Sequence, residues 1–212
     1  MNMKKKFNFE SIDDFDNHIA LSIPNYEGLC DIFRAIAVEN TNPEGLFIDC
    51  GCSTGKFLNE LPRLESARYA GFDLVDIRKH YDFDFYEADN VDALKNVESA
   101  DVVVVMFTLQ FMGKHARHEM ISELKRLNDN GAVILIAEKV LINDVGVNQI
   151  LHREHLKTKR QSFSDSEILD KDYDLMGSMF CLTDSQINKE LSVFRNVSQV
   201  WQNYNFKAWC IT

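Results

Sequence analysis

The feature that most constrains the fold is a short apolar run followed at once by a turn of small residues. A buried strand is predicted for residues 46–50, with the sequence LFIDC. Gly51 and Gly55 then supply glycine where the backbone must turn sharply, and apolar residues resume at helical spacing from Lys56. A strand, a glycine turn and a helix form half of a βαβ unit, which predicts a ligand at the helix N-terminus.

The spacing of this turn differs from the dinucleotide-binding pattern, which requires three glycines as G-x-G-x-x-G. Here the pattern is D-x-G-x-S-x-G, which places Asp49 at the strand end and Ser53 between the glycines. A carboxylate there repels a pyrophosphate and favours a ligand with a cationic amino group. S-adenosylmethionine carries such a group beside its sulfonium and is the predicted ligand. The alternative is an ordinary βα turn that uses glycine only for its backbone.

Further apolar runs predict more strands, at residues 68–72, 83–87, 101–107 and 132–137. The third of these is continuously apolar, as is typical of a strand covered on both faces. With the intervening helical patterns, the order predicts an α/β fold with a doubly wound, mostly parallel, seven-stranded Rossmann-like sheet. Its last two strands are an antiparallel hairpin, predicted from the alternating segments that flank residues 203–205.

Polar side chains follow two of the predicted strands. Asp73 lies about twenty residues after the first glycine, where a carboxylate can accept both ribose hydroxyls of an adenosine ligand. Asp89 and Asn90 close the next strand, and their side chains are candidates for bonding an adenine edge. Without the other motifs, Asp73 would be interpreted as a solvated strand end, and Asp89 with Asn90 as a turn.

One domain is predicted for the 212 residues, in four parts. Residues 1–45 form a helical cap, in which Ser11 and Asp14 start the first helix; residues 46–140 form the cofactor-binding core. Residues 141–195 supply substrate-side helices, including a polar helix at 147–161 and two helices with capping boxes, and residues 196–212 form the terminal hairpin. The helix after the glycine turn should be short, because Pro62 interrupts its pattern.

Composition excludes some classes of function. The net charge of −10 argues against a protein that coats DNA or an anionic membrane. No apolar run approaches the length of a membrane span, and the basic first residues are not followed by a signal-peptide core. Five cysteines, an odd number, suggest reduced thiols in a cytoplasm. Cys50 and Cys52 are interpreted as packing residues, so no metal site is predicted.

Together these segments resemble the class I S-adenosylmethionine-dependent methyltransferases. More narrowly, the chain is similar to the carboxy-S-adenosylmethionine synthases, a family of that fold that modifies the wobble uridine of tRNA. The similarity runs in the same order along nearly the whole chain. It is carried by residues 23–26 (IPNY), 49–55 (DCGCSTG), 107–111 (FTLQF), 138–139 (EK), 182–185 (LTDS) and 205–206 (NF).

The resemblance implies a role for each matching position. Gly51 and its neighbours, Cys52 among them, would hold the methionine part of the cofactor, Asp73 the ribose, and Asp89 with Asn90 the adenine. Tyr26 would close over the ligand, which makes the N-terminal helices its lid. The resemblance also implies a homodimer.

The chain departs from the family at three places. Met106 stands beside the ligand where the family has asparagine, and the segment between Asp73 and Asp89 is too short for a full helix. Residues 171–181 lack the arginine that binds the carboxylate of the carboxylated cofactor, and Asp172 or Asp174 lies near its place, depending on the alignment. A charged hydrogen bond to a carboxylate contributes about 1.5–3 kcal/mol, so the carboxylate pocket is predicted to be lost unless Lys171 or another cation substitutes.

The leading hypothesis is therefore a methyltransferase acting on a small molecule or a nucleic-acid component, with S-adenosylhomocysteine as product. A carboxy-S-adenosylmethionine synthase with a relocated anchor and a non-catalytic binding module are the alternatives. Methyl transfer needs alignment more than acid–base chemistry, and no catalytic dyad is evident. Gln110, His152 and His155 are substrate candidates, although a solvated helix face is the simpler interpretation of both histidines. The basic residues 153–160 are a candidate contact for a nucleotide or tRNA.

Overall fold

The structure is a computed structural model that describes residues 14–212. The strands are β1 (Leu46–Cys50), β2 (Arg68–Asp73), β3 (Asp84–Glu87), β4 (Val102–Met106), β5 (Val133–Lys139), β6 (Val197–Asn203) and β7 (Phe206–Ile211). The helices are α1 (Phe15–Ser22), α2 (Tyr26–Asn40), α3 (Lys56–Asn59), α4 (Asn90–Lys95), α5 (Lys114–Asp129), α6 (Val145–Lys159), α7 (Asp165–Leu175) and α8 (Asp184–Leu191). A short 3₁₀ helix spans Leu109–Phe111.

The strands form one seven-stranded sheet in the order β3-β2-β1-β4-β5-β7-β6. The first five strands in this order are parallel, and β7 pairs antiparallel with both β5 and β6. This confirms the predicted doubly wound sheet with its terminal hairpin. The strand order reverses at β1, which lies between β2 and β4, and open α/β sheets bind ligands outside the carboxyl ends of the strands at such a point.

Both faces of the sheet are covered by apolar layers, as the continuous runs predict. On one face Ile48 and Val103 pack with Leu124 of α5. On the other, Phe47 packs with Phe33 of α2. Cys50 belongs to the first layer and Cys52 to the second, and both are buried, so each packs as a small apolar side chain.

The helix after the glycine turn has four residues and ends before Pro62, as predicted. Between β2 and β3 the described chain contains no helix, which agrees with the shortness of this segment. Helix α4 was not predicted, because Asp89 and Asn90 were interpreted as a turn. The Asp89 carboxylate accepts hydrogen bonds from the backbone N–H groups of Val91 and Asp92 and so caps this helix.

Helix α1 is capped by Asp14, whose carboxylate accepts a hydrogen bond from the backbone N–H of Asn17. The predicted start at Ser11 lies outside the described residues. The break after Ser22 is followed by α2, which buries Leu29 and Phe33 against the sheet. Nowhere in residues 14–212 is a helix long and apolar enough to span a membrane.

Candidate functional site

A cavity of about 360 Å³ lies at the carboxyl ends of the parallel strands. Its volume falls in the range of small-molecule sites. The predicted site residues that line it are Tyr26, Asp49, Gly51, Cys52, Ser53, Asp73, Asn90, Met106, Gln110 and His155. Three other predicted residues, Gly55, Asp89 and His152, do not line it. Gly55 is the N-cap residue of α3 and Asp89 that of α4, so both hold helices next to the site without lining the cavity.

The glycine turn is held close to the end of β2. The backbone N–H groups of Gly51 and Cys52 donate to the Phe72 carbonyl oxygen at 2.7 and 3.1 Å. Gly51 has φ +80°, and a Cβ atom there would lie 2.3 Å from the Thr108 Oγ1. The turn therefore needs glycine both for its backbone conformation and for its close approach to the segment after β4.

The end of the cavity beneath β1 and β2 is acidic. Asp49 is only 3% exposed, and none of residues 14–212 donates a hydrogen bond to its carboxylate. Burial, and then the negative charge of Asp73, raise the pKa of Asp49 to about 7. A cationic group of a ligand would offset both effects. The carboxylate of Asp73 accepts from the backbone N–H groups of Ser53 and Leu74 at 2.8 and 2.7 Å, which leaves lone pairs for further donors.

Two polar groups at this end also point to a ligand. The Ser53 hydroxyl oxygen is buried and has no hydrogen-bond partner within the described part of the chain. Because an unsatisfied buried polar group costs about 1–3 kcal/mol, a bound ligand would stabilise this hydroxyl. Asn90 is buried, and its Oδ1 accepts from the Gly51 backbone N–H at 3.2 Å. The residues present thus fit a ligand with an ammonium group and several hydroxyls.

We expect the affinity for S-adenosylhomocysteine to fall about tenfold when the pH is lowered from about 7.5 to about 5.5. The pKa of Asp49 is raised to about 7, so the carboxyl group gains a proton as the pH falls through that value. Its protonated form cannot pair with the ligand's ammonium group. Isothermal titration calorimetry across this range tests the prediction, and an affinity independent of pH would contradict the pairing with Asp49.

The N-terminal helices cover the cavity. From α1, Phe15, His18 and Ile19 contribute to its lining, and the Asp16 carboxylate accepts a hydrogen bond from the Thr54 hydroxyl of the glycine turn. Tyr26 at the start of α2 also lines the cavity, with its ring 6.4 Å from that of Phe107. The described part of the predicted cap therefore lies where a lid would be required.

The opposite end of the cavity is basic, and of its cations the sequence analysis named only Lys171, as a substitute for the missing arginine. Three lysines line it from separate elements: Lys139 at the end of β5, Lys159 in α6 and Lys171 in α7. Asp172 lines the cavity next to them. From the sequence, only His155 and Lys159 could have been placed together, because a spacing of four residues puts both on one helix face.

The interpretation of His155 as a solvated side chain is wrong. His155 is 2% exposed, and its Nε2 lies 2.9 Å from the Ser22 carbonyl oxygen of α1. Burial, the largest cause, lowers the pKa of His155 to about 4, so the ring is neutral at physiological pH and can donate this hydrogen bond. His152, by contrast, is exposed and does not line the cavity.

The basic segment 153–160 does not present a free positive face. Arg153 and Lys157 both pair with Glu154, at 3.4 and 2.9 Å, and Arg160 pairs with Asp165 at 2.7 Å. Lys159 points inward to the cavity. These contacts argue against binding of a nucleic-acid backbone by α6, because the exposed cations of this helix already have carboxylate partners.

No family model matches the chain. The sequence is 26% identical to a carboxy-S-adenosyl-L-methionine synthase of Colwellia psychrerythraea over 98% of this chain and 92% of that protein. It is also 26% identical to the enzyme of that name from Shewanella baltica, over 92% of this chain and 86% of the relative.

Among solved structures, a SAM-dependent methyltransferase from Archaeoglobus fulgidus superposes with a TM-score of 0.55 at 12% identity, covering 86% of this chain and 93% of that one. Magnesium protoporphyrin IX methyltransferase from Synechocystis, with bound SAH, has a TM-score of 0.54 at 15% identity and covers 96% of both chains. The protein therefore has the fold of the class I S-adenosylmethionine-dependent methyltransferases. More particularly, it is a distant relative of the carboxy-S-adenosylmethionine synthases over most of its length.

Proposed function

We propose that the protein is an S-adenosylmethionine-dependent methyltransferase whose acceptor enters the basic end of the cavity. The observation that carries this proposal is the acidic end, where the buried Asp49 carboxylate and the buried Ser53 hydroxyl line the same cavity and neither has a hydrogen-bond partner among residues 14–212. These two groups are complementary to the amino-acid tail of the cofactor. Solved structures of the same fold contain SAM or SAH.

Asp49 and the Gly51 turn would hold the amino-acid tail, Asp73 the ribose hydroxyls and Asn90 the adenine. Bound in this way, the cofactor supplies a methyl group already activated by its sulfonium. The protein then has to align the acceptor and exclude water. Met106, Phe107 and Phe206 line the cavity with apolar surface, and α1 covers it, so the residues present serve both tasks.

Gln110 contributes mainly to the wall of the cavity. Its Oε1 accepts from the Lys139 backbone N–H at 2.9 Å, and its Nε2 lies 3.6 Å from the Met179 sulfur. The side chain thus joins the segment after β4 to the end of β5 and to the chain after α7. We propose a positioning role for Gln110, since it fixes the backbone from which Lys139 extends.

A second candidate function is the synthesis of carboxy-S-adenosylmethionine. The observation that favours it is that Lys171 lines the cavity. The chain lacks the arginine that the similar family uses to bind the carboxylate, so Lys171 is a candidate replacement. Lys139 and Lys159 reach the same end. A lysine donates charged hydrogen bonds to a carboxylate, so the chemistry that the missing arginine would provide has a substitute. Relatives along most of the chain carry this activity in their names.

Mass spectrometry of the small molecules released from the purified protein separates the two candidates. We expect S-adenosylmethionine or S-adenosylhomocysteine. Recovery of the carboxylated cofactor would replace the methyltransferase proposal with the second candidate. If neither compound is released and neither binds when added, the protein is a binding module that uses the fold for another purpose.

Asp73→Ala is expected to weaken the binding of S-adenosylhomocysteine by about 1–3 kcal/mol, because charged hydrogen bonds to the ribose are lost. Calorimetry of the purified variant measures this loss. Asp76→Ala is the matched control, since Asp76 lies in the same segment but pairs with Arg78 at the surface. Equal affinities of the Asp73→Ala variant and the parent would show that the ribose binds elsewhere.

A further inference from the structure

Lys56 is the first residue of α3 and directly follows the glycine turn. Its backbone is held by its neighbours, because Phe57 and Leu58 are buried in the core and Gly55 precedes it with φ +78°. The Lys56 side chain is 28% exposed and lines the cavity. Asp49 in β1 precedes the same turn and also lines the cavity. The turn therefore brings one ammonium group and one carboxylate to the same cavity.

The charge of Lys56 is opposite to that of the groups around it. Asp16, Asp49 and Asp73 line the acidic end, whereas the other lysines that line the cavity within the described residues belong to the basic end. The hydrogen bond to Glu27, the largest cause, raises the pKa of Lys56, so its ammonium group keeps its charge at physiological pH. Among residues 14–212, Lys56 is therefore the lysine or arginine that a ligand at the acidic end meets.

The protein engages Lys56 from outside the cavity without using all of its donors. The Lys56 Nζ donates to Oε1 of Glu27 in α2 at 2.8 Å, and Glu27 does not line the cavity. Glu60 lies 3.9 Å from the same Nζ, beyond hydrogen-bond distance, and pairs with Arg34 at 2.6 Å instead. An ammonium group has three N–H donors, so within the described part of the chain two remain for a further acceptor.

The amino-acid tail of S-adenosylmethionine is a zwitterion and needs partners of both signs. Its ammonium group suits Asp49, but the three carboxylates of the acidic end repel its own carboxylate. An anion without a partner is unfavourable in a cavity that α1 covers, so the site has to offset this charge. A charged hydrogen bond from a lysine to the carboxylate does so, and Lys56 has donors for it.

We propose that Lys56 binds the carboxylate of the cofactor's amino-acid tail, while Asp49 binds its ammonium group. The inference rests on the proposed function, in which this tail occupies the acidic end. Lys56 is then a specificity-determining residue, because an adenosine derivative without the carboxylate loses its charged hydrogen bond. The ion pair with Glu27 also joins this contact to α2, whose first residue, Tyr26, lines the cavity.

The test is calorimetric titration with S-adenosylhomocysteine and with its decarboxylated analogue, which keeps the ammonium group and lacks the carboxylate. We expect the parent protein to bind S-adenosylhomocysteine about tenfold or more tightly than the analogue. Lys56→Met should weaken S-adenosylhomocysteine binding about tenfold and leave binding of the analogue unchanged. Lys95→Met is the matched control, with no change for either ligand, since Lys95 pairs with Asp92 at 3.2 Å and does not line the cavity. Unchanged affinity of Lys56→Met for S-adenosylhomocysteine would overturn the inference.

Glu27→Gln separates carboxylate binding from a structural role of the ion pair. We expect this variant to bind S-adenosylhomocysteine at least as tightly as the parent, because the carboxylate that competes for Lys56 has lost its charge. If Lys56→Met and Glu27→Gln weaken both ligands to the same extent, the pair only joins α2 to α3 and the inference is overturned. Equal affinity of the parent for both ligands removes the inference and leaves the cofactor site intact. If neither ligand binds, the proposed function fails and the inference fails with it.

Discussion

Replacing Arg117 with methionine is expected to lower the free energy of unfolding by about 3–5 kcal/mol. The Arg117 guanidinium donates to both carboxylate oxygens of Glu138, at 3.0 and 2.7 Å, and also to Glu190. Glu138 is fully buried, and burial raises its pKa to about 7 although Arg117 lowers it. Without the guanidinium, the Glu138 carboxylate would be buried without its cation, and urea denaturation at about pH 8 measures the cost.

Three comparisons make this prediction specific. The double variant Arg117→Met/Glu138→Met should lose less stability than the single variant, because no unpaired buried charge remains. Arg117 lowers the pKa of Glu138, so removing it should raise that pKa further above about 7, and the deficit of Arg117→Met should shrink as the pH falls from alkaline values towards about 7. Arg153→Met, at an exposed pair, should change stability by about 0.5 kcal/mol at most. A loss of similar size in Arg117→Met would contradict the assignment.

The second large effect is expected at Asp49. Asp49→Asn should weaken S-adenosylhomocysteine binding by about 1.5–3 kcal/mol, because a charged hydrogen bond to the ammonium group is replaced by a neutral contact. The same change should not destabilise the protein without ligand. The pKa of Asp49 is raised to about 7, so its ionisation opposes folding above that pH, and asparagine of equal size removes this charge.

Calorimetry and thermal melting at about pH 8 measure both effects in one protein preparation. The variant should also show a flatter dependence of affinity on pH than the parent. Asp84→Asn is the control, since Asp84 is exposed at the start of β3. If Asp49→Asn binds the nucleoside as tightly as the parent does, the acidic end has been assigned to the wrong part of the ligand.

Much of the fold was predictable because its signals are local. The continuous apolar run of β4 and the strand–glycine–helix sequence at Asp49–Lys56 specify buried parallel strands and their turn. The first five strands lie within two residues of their predicted bounds. Helix α4 was missed because six residues are too few to show helical periodicity and Asp89–Asn90 also suits a turn.

The basic end of the cavity was not predictable, because it depends on distant parts of the chain. Lys139, Lys159 and Lys171 are far apart in sequence, and each alone suits a solvated surface. Helix α6 is polar on most of its surface, so its sequence did not show that His155 and Lys159 face inward. The prediction that the carboxylate pocket is lost depends on these lysines, since Lys171 lines the cavity.

The most direct test of the cofactor site is a titration of the parent protein with S-adenosylhomocysteine, measured by isothermal calorimetry. Saturable binding of one S-adenosylhomocysteine per chain is expected, because within residues 14–212 the acidic end offers the buried Asp49 carboxylate and the unpartnered Ser53 hydroxyl at one glycine turn. Absence of binding heat at several temperatures, with the protein folded, would contradict it. The cavity would then not be a cofactor site.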